Sequence, residues 1–237
     1  MAGVEAPNLT PCRHWRTSRA RLWVREGVRP PTGNWEDCLL EGEHSLAQMA
    51  RKADRVVGVG RGLARAVDFG SGDVGIWRIN RHGGLLGNFL GGIYWSSTRL
   101  EAEVLLSDHL RRQGVATPEV LFALASRRGV FWRQHLVTRE VDDAQTVFEA
   151  RNDAMARRAS AELLERLFDL GLWATDLHPG NLLWQKSTGV CWLVDLAGAT
   201  LKGRPLNGEE RVQRRKRYLR YFDKHAGTGT SHGMLDD

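Results

Sequence analysis

Cysteine is scarce in this chain, and lysine is scarce for a basic protein. Cys12, Cys38 and Cys191 are the three cysteines among 237 residues. They are odd in number and far apart, which fits neither a disulfide framework nor a zinc site. No run approaches the roughly 20 apolar residues that a spanning helix needs. Met1 to Pro7 has no basic stretch leading into an apolar core, so the chain reads as cytosolic. Internal repeats and low-complexity runs are also missing. Hydrophobic residues make up 42% and charged residues 26%, which excludes a mostly disordered or collagen-like chain.

The basic excess is carried by arginine. Of 34 basic residues only Lys52, Lys186, Lys202, Lys216 and Lys224 are lysines, and the net charge is +6 with a pI near 9.6. Arginine binds phosphate bidentately and is weakly hydrated. Nucleotides, nucleic acid, anionic lipid and phosphorylated glycan are therefore all open as partners, beside a plain solvated surface.

Residues 1–51 read as an irregular N-terminal extension, punctuated by Pro7, Pro11, Pro30, Pro31 and Gly33. From Arg55 the pattern becomes that of strands: 55–59, 63–69 and 74–79, with glycine-rich turns between them. Period-2 alternation puts Arg78 on the face of Val74 and Ile76. A helix starts at Thr98, which has capping-box spacing to Glu101, and Gly114 sits where it should stop. Leu100, Glu103, Leu106 and Leu110 share one stripe, so Glu103 is an acid on the apolar face. Such a carboxylate needs a cation, and Arg78 is the natural partner. Residues 134–140 form another strand. A second helix spans about 153–170 with Leu163, Leu164, Leu167 and Leu170 inward, and a hairpin follows from Leu182 to Val194 with its turn at 186–189. The outline is α+β: residues 52–140 as a small β-rich lobe with one helix, and 141–237 as a larger, mainly helical one.

The sharpest segment is Asp176-Leu177-His178-Pro179-Gly180-Asn181-Leu182-Leu183, with Asp195 at the far end of the hairpin. An Asp, an Asn five positions on and a second Asp beyond a hairpin is the spacing of a kinase catalytic loop. The first Asp orients and deprotonates a hydroxyl. The Asn and second Asp are hard oxygen ligands for Mg²⁺ beside substrate phosphates. Gly58, Gly60 and Gly62 sit between two strands, either as a phosphate-covering loop or as a flexible hairpin. The expected lysine on the third strand is missing, since none lies between Lys52 and Lys186. Arg78 held by Glu103 is the favoured replacement, with Arg81 the second candidate.

On these residues the chain resembles the lipopolysaccharide kinase (Kdo/WaaP) family over roughly 55–225, most of all its Kdo-kinase branch. Arg78-Ile79-Asn80-Arg81-His82-Gly83-Gly84-Leu85-Leu86-Gly87 is similar to that family's arginine-rich Gly-Gly stretch. Tyr94, Thr98-Arg99 and Glu103 fit its following helix, and Gly114-Val115-Ala116-Thr117-Pro118 its Gly-x-x-x-Pro connection. Asp176 falls on its catalytic position, and Asn181 and Asp195 on its metal positions. Ala174 departs from the usual His, and Leu196-Ala197 from the usual residues after the second Asp. The loop itself is closer to aminoglycoside and choline phosphotransferases.

The resemblance implies a bilobal protein-kinase-like fold that uses ATP and Mg²⁺ to phosphorylate a sugar hydroxyl of the lipopolysaccharide inner core. It further implies work at the cytoplasmic face of the bacterial inner membrane, on a glycolipid substrate. Gly58, Gly60, Gly62, Arg78 and Glu103 would serve the nucleotide. Two segments bear on the membrane. Gly83 to Trp95 could dip into an interface or pack as a loop. Glu210 to Lys224 reads as a basic amphipathic helix, facing either anionic lipid or solvent. No nucleic-acid reading element is present, and no protein partner is implied. A soluble-substrate phosphotransferase and a nucleotide-binding pseudokinase are the alternatives.

Overall fold

The computed structural model describes residues 11–30, 34–41, 55–57, 64–68, 74–80, 92–227, 229, 231, 234 and 235. Contacts divide the chain into two units. Asn8–Asp108 and Glu119–Glu140 form one, and His109–Pro118 and Val141–Asp237 belong to the other.

The first unit is an antiparallel sheet with helices. In chain order it contains β1 (Cys12–Arg16), β2 (Ala20–Arg25), α1 (Trp35–Glu41), β3 (Arg55–Val57), β4 (Ala64–Asp68), β5 (Val74–Ile79), β6 (Ile93–Tyr94), α2 (Thr98–Arg112), β7 (Val120–Arg128) and β8 (Phe131–Arg139). The final turn of α2 counts with the second unit. The spatial order is β1-β2-β7-β8-β5-β4-β3, with β6 also on β8. One set of core side chains joins Leu22, Leu124, Trp77 and Val137 to Cys38 of α1. The other joins Trp23, Ala123, Ala125 and Leu136 to Leu100 and Val104 of α2.

The irregular extension expected over residues 1–51 is therefore corrected. β1 and β2 form a hairpin in register from Cys12↔Arg25 to Arg16↔Arg21, and β2 pairs with β7. Arg25, which is 2% exposed, hides this strand in the sequence. Its guanidinium makes a bidentate bond to Asp108, at 2.6 and 3.2 Å, so a charged residue occupies a core position. β7 is a further strand that the sequence pattern does not mark.

α2 starts at Thr98 as expected, but its cap differs. Glu101 N donates to Ser97 O, so Ser97 rather than Thr98 caps it. The other end is as expected. Gly114 N donates to Arg111 O and Val115 N to Leu110 O, with Gly114 at φ +75°, a Schellman turn closed by buried Val115 and Leu110.

The second unit continues with β9 (Ala144–Thr146), α3 (Ala154–Asp169), β10 (Leu172–Trp173), β11 (Leu182–Gln185), β12 (Val190–Leu193), β13 (Thr200–Leu201) and α4 (Gly208–Ala226). Asp153 caps α3 by accepting from Met155 N at 2.9 Å. Leu163, Leu164 and Leu167 are buried as expected, and Phe168 is too, whereas Leu170 is only half-buried. β11 pairs with β12 and β9, and β10 with β13. Asn207 and Glu210 form a capping box at the start of α4.

Gly171 ends α3 at φ +76°, and a Cβ there would lie 2.1 Å from the Arg204 carbonyl oxygen. Gly189, at φ +71°, has open space around it. We expect Gly171→Ala to cost about 3 kcal/mol, combining a left-handed alanine with a backbone clash. Gly189→Ala should cost only about 1 kcal/mol. Urea titration of both variants checks the difference, and equal losses would contradict it.

Candidate functional site

In the second unit, a single 3-10 turn at Pro179–Asn181 leads directly into β11. Asn181 organises the loop. Its Nδ2 donates to the Asp176 carbonyl at 2.8 Å, and its backbone N–H donates to His178 O. His178 Nδ1 accepts from Gly180 N at 3.1 Å. Burial, outweighing Asp176 and Asp195, lowers the His178 pKa, which keeps the ring a neutral acceptor at neutral pH.

The hairpin brings Asp195 beside this turn. Leu182 pairs with Leu193, and Val194 N donates to Asn181 O at 3.2 Å. Asp195 thus follows directly on the cross-strand neighbour of Asn181. One of its oxygens accepts from Ala197 N at 2.9 Å. Asp176, Asn181 and Asp195 are joined here through one tight turn and one short ladder. An amide oxygen and a carboxylate suit Mg²⁺, which takes one or two protein oxygens and fills its other positions with phosphate and water.

α4 supports the loop from outside. Tyr221 stacks on His178, with centroids 4.3 Å apart and planes 9° from parallel. A Cβ on Gly180 would come within 2.7 Å of the Tyr221 hydroxyl. Arg217, one turn earlier, is 3.5 Å from the Asp176 carboxylate. Arg214 is buried, lies over the Trp173 ring at 4.0 Å and donates to Ala174 O at 3.1 Å. Arg214 thus holds the backbone two residues before Asp176.

These contacts show which residues of α4 are used within its own unit. Its apolar residues Tyr218 and Phe222 are 1% exposed. Arg211 pairs with Glu165 and Asp169, and Arg215 with Glu165. The apolar face and two of the basic residues are used within the unit. The sequence reading missed the loop role of Tyr221 and Arg217, for which the available signal was their i,i+4 spacing.

In the first unit, Arg78 of β5 ion-pairs with Glu103 of α2 through its Nη2. The Glu103 side chain is 3% exposed and that of Arg78 22%. Arg78 Nη1 donates to Asn80 Oδ1 at 2.8 Å, and Asn80 Nδ2 donates to Glu103 at 3.1 Å. Asn80 Nδ2 also lies 3.3 Å from Gln134 Oε1, and Gln134 Nε2 donates to Ser96 O at 2.9 Å. Asn80 and Gln134 are members of this network that the sequence did not disclose. Gly58, Gly60, Gly62 and Arg81 lie outside the described residues.

The model of the lipopolysaccharide kinase (Kdo/WaaP) family matches residues 48–228. A 3-deoxy-D-manno-octulosonic acid kinase of Photobacterium profundum is 31% identical over 126 residues, 50% of this chain and 53% of that protein. One from Vibrio vulnificus is 29% identical over 165 residues, 62% of this chain and 69% of the relative. The match to the Photobacterium protein thus spans about half of its length. A solved structure, WaaP in complex with acyl carrier protein, superposes with TM-score 0.52 at 14% identity, covering 91% of this chain and 92% of that one. The likeness is one of fold.

Proposed function

Because the chain belongs to the lipopolysaccharide kinase (Kdo/WaaP) family, we propose that it transfers the γ-phosphate of ATP to a sugar hydroxyl of the lipopolysaccharide inner core, Kdo or heptose. The two units correspond in this reading to the small and large lobes of a kinase. Asp176 accepts the proton of the acceptor hydroxyl, whose oxygen forms a bond to the γ-phosphorus as the bond to the β-phosphate oxygen breaks and ADP leaves. Asn181 and Asp195 hold Mg²⁺, which neutralises charge on the phosphates. Arg78, fixed by Glu103 and Asn80, steadies the nucleotide phosphates, and Gly58 to Gly62 covers them. Catalysis in such a site is positioning and electrostatics.

The observation that carries the reading is the loop itself. Asp176 and Asn181 are tied together by a side-chain-to-backbone bond, and Asp195 is brought alongside by the Asn181–Val194 ladder bond. Transfer from γ-labelled ATP tests it, with a Kdo-bearing lipid A precursor and an aminoglycoside panel offered in parallel. Label on the glycolipid supports the proposal. Label only on a soluble acceptor keeps the phosphotransferase and discards the lipopolysaccharide. Nucleotide binding without transfer to any acceptor would favour a pseudokinase.

The enzyme would work at the cytoplasmic face of the inner membrane. No described helix is long and apolar enough to cross a membrane. Most of residues 83–95 lies outside the described residues, and among those described the surface best suited to lipid is the β7–β8 turn. Val130 is 61% exposed and Trp95 76%, and Trp95 packs on Phe131 at 4.6 Å. Arg127 and Arg128 precede the turn, and Arg19 is bonded to Arg127 through the backbone. An exposed tryptophan and valine close to arginines suit an anionic headgroup layer. Replacing Trp95 and Val130 by Ser and Arg127 by Glu should weaken sedimentation with phosphatidylglycerol vesicles by at least about tenfold. Lys216→Glu on α4 should change it little. The reverse ranking would move the membrane contact to α4.

A further inference from the structure

The basic helix beside the loop is not uniformly committed. Arg211 and Arg215 are neutralised by Glu165 and Asp169, and Arg214 is buried against the backbone that leads into the loop. Arg217 is different. Its pair with Asp176 is a single contact at 3.5 Å between side chains 44% and 59% exposed. Such a pair contributes little to stability. The loop does not depend on it, because Asn181, His178 and Tyr221 already hold the backbone. Arg220 and Lys224, one and two turns further along α4, are exposed like Arg217.

We propose that Arg217, backed by Arg220 and Lys224, is the acceptor subsite, seating an anionic group of the sugar next to the hydroxyl that Asp176 deprotonates. The inference rests on the kinase reading above and deepens it. A guanidinium against the base's own carboxylate is released to an incoming anion at small cost, because the resting pair is long and exposed. Its fork then binds a sugar carboxylate or phosphate through two bonds. That geometry brings the neighbouring hydroxyl toward Asp176. It also selects against a cationic acceptor, which would meet like charge at Arg217, Arg220 and Lys224. The sign of the acceptor is thereby set by α4.

The test uses the full chain and two soluble probes, a Kdo-terminated oligosaccharide free of phosphate and its carboxyl-reduced counterpart, with a phosphorylated heptose oligosaccharide as a third arm. Equilibrium binding is titrated without ATP, and kcat and KM are then measured with it. Arg217→Gln should weaken binding of the acid sugar by about tenfold and raise its KM similarly. Its binding of the reduced sugar, and its KM for ATP, should stay unchanged. Arg217→Lys should recover part of the loss. If the phosphorylated heptose responds and Kdo does not, the anion is a phosphate rather than a carboxylate. Equal losses with acid and reduced sugars, or a fall in kcat alone, would reduce Arg217 to a group that orients Asp176 and would overturn the subsite. Wild-type protein that binds the acid sugar through Arg217 yet transfers no phosphate would keep the subsite and refute the kinase reading. Transfer without any preference for the acid sugar would do the opposite.

Discussion

Asp176→Asn is expected to lower phosphoryl transfer by about 10³-fold or more while leaving nucleotide affinity unchanged. General-base catalysis contributes about 10²–10⁴, and the amide keeps the side chain's size while removing its basicity. The loop should survive, because Asn181 donates to the backbone carbonyl of residue 176 and not to its side chain. The lost contact with Arg217 is an exposed one and carries little stability. Asp195→Asn separates the two roles. The bond from Ala197 N can be kept by the amide oxygen, but a charged ligand is lost. Its rate should fall comparably and recover partly as Mg²⁺ is raised, whereas Asp176→Asn should not respond to Mg²⁺. Initial rates from γ-labelled ATP across a Mg²⁺ series, with nucleotide binding measured beside them, distinguish the pair. Rescue of Asp176→Asn by Mg²⁺ would exchange the assignments.

The loop was legible in the sequence because its organisation is local. Asp176, Asn181 and Asp195 are brought together by one tight turn and one short hairpin, and turn residues and glycines mark both. The Arg78–Glu103 pair was legible for another reason: two periodicities, one of a strand and one of a helix, each left a charge on an apolar face. β7 gave no such signal. Both its faces are covered, one by the α1 side of the core and the other by α2, so Val120 to Ala125 is a continuous apolar run without alternation. β2 failed oppositely, since Arg25 is charged yet buried, and only the fold brings Asp108 to it. On α4 the sequence left lipid and solvent both open, because Glu165 and Asp169, the partners of Arg211 and Arg215, lie 42 to 50 residues away. Charge on a helix face shows where arginines are, but the partner that neutralises each one belongs to tertiary structure.

The same reasoning makes the Arg78 network the second place where a single change should have a large effect. Arg78→Met removes the cation opposite Glu103, a carboxylate 3% exposed, and leaves Asn80 Oδ1 without the donor it has now. Breaking a buried pair from one side costs about 3–5 kcal/mol, so thermal stability should drop, and the KM for ATP should rise by at least about tenfold if Arg78 meets the phosphates. Glu103→Gln is the informative companion. Its single amide oxygen can still accept from Arg78, while its NH2 replaces the oxygen that now accepts from Asn80. Stability should therefore fall less than in Arg78→Met, and any loss in ATP affinity then reports on how the guanidinium is aimed. Arg78→Lys retains charge but offers no fork, and cannot serve Glu103 and Asn80 together with the same planar geometry. It should fold, bind ATP more weakly than wild type and more tightly than Arg78→Met. Arg81→Met should leave stability and ATP affinity near wild type. An ATP defect larger in Arg81→Met than in Arg78→Met would make Arg81 the phosphate ligand and leave Arg78 as the ion-pair brace between β5 and α2.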